Sequence, residues 1–74
     1  MAEEIFDLRG LKCPLPVLRT RKKLAGMKAG DTITVACTDP LAGIDIPNLL
    51  QHTGDALEEV RTEANVFRFR IRKA

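Results

Sequence analysis

The sequence predicts a two-layer α/β sandwich of order β-α-β-α-β-β: a four-stranded mixed sheet with two helices on one face. Three observations carry this. The runs Thr32 to Thr38 and Val66 to Arg72 alternate apolar and polar residues, as half-buried strands do. The stretches after Cys13 and after Asp45 instead space their apolar residues three and four apart, as helices do. Two helices can cover only one face of four strands, which is why each good strand keeps one polar face. At 74 residues the chain reads as a single domain, 1–74, with no repeats or low-complexity stretches.

Glu4 to Leu8 forms a short first strand, with Ile5 and Phe6 supplying β-propensity. Gly10 loosens the chain before Cys13. From Pro14 to about Met27 the spacing is helical: Val17, Thr20, Leu24 and Met27 share one stripe, flanked by Leu18 and Ala25. Arg19, Lys22 and Lys23 project from the opposite side, and Arg21 sits at the stripe's margin. Gly26, Gly30 and Asp31 mark the stop and the turn. In the next strand Ile33, Val35 and Cys37 point to the core, and Thr32, Thr34, Ala36 and Thr38 point away. Asp39-Pro40 breaks that strand, and residues 41–44 read as a loop or single turn. Asp45 reads as the N-cap of a short second helix, with Pro47 in its first turn and Gly54 at its end. Ala56 to Thr62 alternates less well, since Leu57 and Val60 are three apart, so a bulge or an edge position is expected. The last strand puts Phe67, Phe69 and Ile71 inward and Arg68, Arg70 and Arg72 outward.

The chemistry centres on Leu11-Lys12-Cys13-Pro14-Leu15-Pro16-Val17, where an apolar strand-like run gives way to a helical one. Proline suits a first helical turn because the N–H it lacks has no intrahelical partner there. Pro14 and Pro16 therefore fit a helix start and shape a rigid, exposed setting for Cys13. Unpaired amides and the macrodipole at a helix start favour thiolate over thiol, and Arg9, Lys12 and Arg19 add positive charge close in sequence. On this reading the Cys13 thiol titrates below its ordinary value. Cys37, grouped with the core, is expected to be inert.

Composition removes several function classes. A hydrophobic share of 45% suits a folded chain, and a net charge of +2 does not by itself call for nucleic acid. With three Phe and no Trp or Tyr, little is available for base stacking. The acidic start Met1-Ala2-Glu3-Glu4 does not read as a signal peptide, and no apolar run approaches membrane length, so a cytoplasmic protein with free thiols and no membrane partner is expected. Two distant cysteines and one histidine, His52, fall short of a metal set. His52 lies off the apolar face of its helix and is expected in solvent. No Cys-x-x-Cys and no glycine-rich phosphate loop occurs, so neither a dithiol nor a cofactor is expected.

A lone exposed thiolate without a catalytic base can still attack a sulfur atom, hold it and give it up. Sulfur relay through a persulfide is the chemistry that asks least of the rest of the chain, as half-reactions rather than full turnover. The rival classes are a small nucleic-acid-binding module using Arg68, Arg70, Arg72 and Lys73, and a regulatory partner protein using exposed surface such as Leu15.

The run from Asp7 to Leu18 resembles the Cys-Pro-x-Pro signature of the TusA/SirA family of sulfur carrier proteins. Arg21-Lys22 is similar to a basic pair downstream in that family, and Asp39-Pro40 with Asp45-Ile46-Pro47 resembles its second motif. The resemblance runs from about Ile5 to Lys73. It implies the same β-α-β-α-β-β sandwich and a persulfide on Cys13. It also implies a cysteine desulfurase or rhodanese as donor and a downstream acceptor protein, in tRNA thiolation, molybdenum-cofactor assembly or sulfur oxidation. Arg9, Lys12, Arg19, Lys22 and Lys23 are then expected to serve as electrostatic and docking residues. Direct nucleic-acid binding is not expected.

Overall fold

The computed structural model describes residues 4–74. The reading of the extreme N-terminus falls largely on residues 1–3 and lies outside the described residues. Strands β1 (Glu4–Leu8), β2 (Thr32–Cys37), β3 (Ala56–Glu63) and β4 (Val66–Arg72) and helices α1 (Leu15–Ala25) and α2 (Ala42–Thr53) follow the expected order. The sheet runs β1-β2-β4-β3; β1 and β2 are parallel, and β4 is antiparallel to both its neighbours. The sheet is therefore mixed, as the sequence predicts.

The strand periodicities resolve the core. Ile33, Val35, Cys37, Phe69 and Ile71 are buried and meet Leu24 of α1 and Ile46 and Leu50 of α2. The Phe67 and Phe69 rings stack with centroids 6.1 Å apart. At Gly43 the helix backbone comes so near the sheet that a Cβ would lie 3.2 Å from the Phe67 ring. Ala36 departs from the expected wet face and is buried. It sits in a central strand, flanked in register by Asp7 and Arg68, whose longer side chains can cover one methyl group.

Both devices expected of β3 are present. It is an edge strand, and its register slips between Leu57 and Glu59, leaving Glu58 as the extra residue. Glu58 then reaches the arginine stripe, 2.9 Å from Arg72 Nη2 and 3.6 Å from Arg70 Nε. The stripe is thus interleaved with carboxylate.

The helix ends differ from expectation. Helix α1 begins at Leu15 with Pro14 as N-cap, and Cys13 precedes the cap. It ends at Ala25 because the Gly26 and Met27 amides bond back three residues, to Lys23 and Leu24. Helix α2 starts three residues before Asp45, which is not its N-cap. The N-cap is Leu41, without a side-chain cap, and a turn at Asp39 leads into it: Asp39 Oδ1 accepts the Leu41 N–H at 2.9 Å and its carbonyl accepts the Ala42 N–H at 3.0 Å. Pro47 consequently lies inside the helix. Gly54 closes it in the left-handed region (φ 81°), as expected.

Cys37 is fully buried, and burial first, then the nearby Asp39 charge, pushes its thiol up to about 11. Cys37→Ala should lower stability by about 1 kcal/mol, read as a shift of the denaturant midpoint. In the relay that the resemblance implies, the same variant should accept sulfur as the wild type does; lost acceptance in the variant, or a Cys13–Cys37 disulfide in the wild type, would contradict a packing role.

Candidate functional site

The parallel register sets Leu8 beside Cys37, so the loops that follow β1 and β2 leave the same sheet end side by side. The Gly10 N–H donates to Thr38 Oγ1 at 2.9 Å and ties them together. Asp39 goes further, its Oδ2 accepting the backbone N–H of Cys13 while Oδ1 accepts that of Leu41 at the start of α2. These two amides, Leu41 before Cys13, hold the Asp39 carboxyl below its ordinary value, with Lys12 assisting by charge. Cys13 is therefore fixed to the start of α2 as well as to its own loop. Its peptide bond to Pro14 is cis.

The Cys13 side chain is exposed and lies along an open groove of about 610 Å³ between the two helices. Pro14, Val17 and Leu49 supply apolar wall, while Arg21, Asp45 and His52 supply charge or hydrogen bonding. The Cys13 Sγ–H donates to Asp45 Oδ2 at 3.1 Å. Asp45 is in the first turn of α2, its own N–H bonded to the Leu41 carbonyl at 2.9 Å, so its position is set by the helix.

This geometry reverses the electrostatic expectation for the sulfur. The thiol is held above its ordinary value, chiefly by its hydrogen bond to Asp45, then by partial desolvation and by the charges of Asp45 and Asp39. Cys13 lies ahead of the Pro14 N-cap of α1, and its own N–H is given to Asp39. Arg9 is turned to Asp7, with Nε and Nη2 at 2.8 and 2.9 Å from the two carboxylate oxygens. The resting group is a thiol.

The remaining expected residues divide. Pro16 is buried in the first turn of α1, and Lys12 flanks Cys13 on the β1–α1 loop. Arg19, Lys22 and Lys23 line a second open groove, of about 800 Å³, floored by Phe6, Leu15 and Leu18. Leu15 and Leu18 are 42% and 53% exposed there, and Lys23 Nζ lies 5.8 Å above the Phe6 ring. Sequence reasoning left Arg21 at the helix margin and His52 in solvent; His52 is exposed, as expected, yet both face the Cys13 groove. Asp45 was legible as a cap and as part of the second motif of the resemblance, not as a partner of the sulfur. No group of three or more His, Cys, Asp or Glu suited to a metal ion occurs among the described residues. No helix among them is long and apolar enough to cross a membrane.

An exposed thiol at the carboxyl ends of parallel strands, beside a groove rather than in a closed cavity, defines a small α/β domain that offers one sulfur atom to other molecules. The family model for sulfurtransferase TusA matches residues 4–73. The sulfur carrier protein TusA of Allochromatium vinosum is 38% identical over 72 residues, covering 97% of this chain and 95% of its own. A Neisseria meningitidis serogroup A protein, provisionally named a sulfur carrier, is 43% identical over 67 residues, 90% of each chain. The crystal structure of a SirA-like protein from Desulfitobacterium hafniense superposes with a TM-score of 0.81 at 26% identity, covering 92% of this chain and 93% of that one. The chain belongs to the TusA family of sulfur carriers. A role in that family entails contact with sulfur donor and acceptor proteins.

Proposed function

We propose that Cys13 carries transferable sulfur as a persulfide, taken from a cysteine desulfurase or rhodanese and passed to an acceptor protein. The observation that carries this reading is the contrast between the two thiols: Cys13 is exposed beside a groove, and Cys37 is sealed in the core. In the first half-reaction Cys13 Sγ attacks the terminal sulfur of the donor's persulfide. The new S–S bond forms as the donor's own S–S bond breaks. The electron pair of the broken bond stays on the donor sulfur, which takes the proton given up by Cys13. Sulfur moves at constant oxidation level, so no external oxidant or reductant is required. The second half-reaction is the same exchange with the acceptor's thiol as attacking group. Transfer of radiolabelled sulfur from free cysteine through a purified desulfurase to the carrier, and its removal by reductant, tests the reading. A carrier that gains no label from several competent donors contradicts it.

Pro14 and Pro16 shape the approach to the sulfur, and Lys12 with the more distant Arg9 flanks it. Arg19, Lys22 and Lys23 serve as the docking rim. They surround exposed leucines one helical turn from Cys13, so an acidic partner patch with apolar side chains fits this face. Charge reversal at Lys22 and Lys23 should slow transfer by roughly tenfold at low salt and flatten its dependence on ionic strength, with the fold kept. Equal rates for the variant and the wild type at low salt would contradict a docking role. The acceptor fits tRNA thiolation, molybdenum-cofactor assembly or sulfur oxidation, with the carrier acting in the cytoplasm.

A further inference from the structure

We propose that Asp45 is a positioning residue that keeps Cys13 protonated in the free carrier and drives loaded sulfur outward, so that the carrier is quiet alone and generous once charged. The inference deepens the persulfide reading of Cys13 and rests on it. It starts from three observations. Sγ is aimed at Asp45 Oδ2, 3.1 Å away, although Cys13 lies open to water and has no need of a partner for burial. Asp45 is held by the first turn of α2, so this is not a chance meeting of two flexible groups. The second carboxylate, Asp39, is fixed to the Cys13 amide and adds negative charge near the sulfur.

The groups around the sulfur come from every neighbouring element. Lys12 stands on the β1–α1 loop, Asp39 on the β2–α2 loop, Arg21 on α1, and Asp45 and His52 on α2. Among them only Asp45 hydrogen-bonds to Sγ. A carboxylate can accept this bond only while the sulfur keeps its proton; against thiolate it presents charge to charge. The free thiol is thereby shielded from stray electrophiles. The same proton is the one that the departing donor sulfur needs in the transfer step above, so holding it on Cys13 keeps it at the point of use.

Loading inverts the situation. A persulfide is more acidic than its thiol and carries its charge on the outer sulfur. That anion cannot donate to Asp45, and both carboxylates repel it. The outer sulfur is pushed from the α2 wall towards solvent, where an acceptor's thiol can reach it. One fixed charge thus disfavours the wrong reaction before loading and favours release after it.

The test uses the full chain with no sulfur donor, so its failure is separate from failure of the carrier reading. Iodoacetamide alkylation of Cys13 is followed by intact mass from pH 5 to 10 in wild type, Asp45→Asn, Asp45→Glu and Asp45→Ser, with Cys13→Ser as the blank. Asp45→Asn and Asp45→Ser should move the apparent Cys13 pKa down by about one unit, which raises the alkylation rate at neutral pH about tenfold. Asp45→Glu should restore much of the wild-type profile, a rescue that a purely structural role would not give. Two differently sized replacements guard against one of them failing to fold, and unchanged circular dichroism accompanies the comparison. An apparent Cys13 pKa in wild type at or below those of Asp45→Asn and Asp45→Ser would overturn the proposal.

Discussion

Cys13→Ser should abolish sulfur acceptance while leaving the fold intact. A serine hydroxyl occupies nearly the same volume and can donate to Asp45 as the thiol does, so the local contacts survive. It cannot form a persulfide. Cys37 cannot take over, because it is fully buried between β1 and β4 and its thiol is pushed up to about 11. The expected residual acceptance is therefore at the blank level, with an unchanged denaturant midpoint. Labelled sulfur on Cys13→Ser above that level would show a second acceptor in the chain.

Phe69→Ala should be the most damaging core substitution. Phe69 is fully buried, pairs with Val35 and Val60 across the middle of the sheet and stacks on Phe67. Removing a buried phenyl ring costs about 3–5 kcal/mol through lost transfer energy and the cavity left behind. Against the ~5–15 kcal/mol of a typical domain, and with so little other core to share the loss, much of the native population should disappear at physiological temperature. Urea unfolding of wild type and variant measures it directly. A loss below about 1.5 kcal/mol would show that the site collapses around the gap and that the core is centred elsewhere.

The sequence was most legible where periodicity alone decides. From Phe67 to Arg72 the sequence of β4 alternates strictly, and β4 forms a central strand; the three-residue step from Leu57 to Val60 in β3 signalled the bulge. Burial of Cys37 followed from its position two residues beyond Val35. The start of α2 was less legible, because its N-cap is Leu41, which has no capping side chain, while Asp45 looks like a cap and turns its carboxylate to Cys13. The sulfur's electrostatics were read with the wrong sign for the same reason. Arg9, Lys12 and Arg19 are near Cys13 in sequence, but Arg9 is paired with Asp7, and Arg19 lines the other groove. Asp39 and Asp45 lie 26 and 32 residues away and arrive only through the parallel register of β1 and β2. Sequence distance is a poor guide to charge where two loops leave one sheet end together.

The geometry bears on how a carrier of the proposed kind works without a low-lying thiol. In the proposed relay, reactivity comes from access and from the partner's persulfide, whose own S–S bond supplies the electrophile and the leaving group. In that relay the open groove leaves Cys13 accessible to a partner, and the basic rim beyond α1 orients it. Encounter rate should then respond to salt through the rim, and intrinsic thiol reactivity should respond to Asp45. These are separable handles on one reaction.

The most direct measurement is the location of the transferred sulfur. Wild-type protein incubated with a purified cysteine desulfurase and free cysteine, then alkylated and digested, should yield a mass increase of one sulfur atom confined to the peptide containing Cys13, lost on treatment with reductant. Sulfur found on Cys37, or an unmodified Cys13 peptide beside a donor that loads other acceptors, would contradict the account.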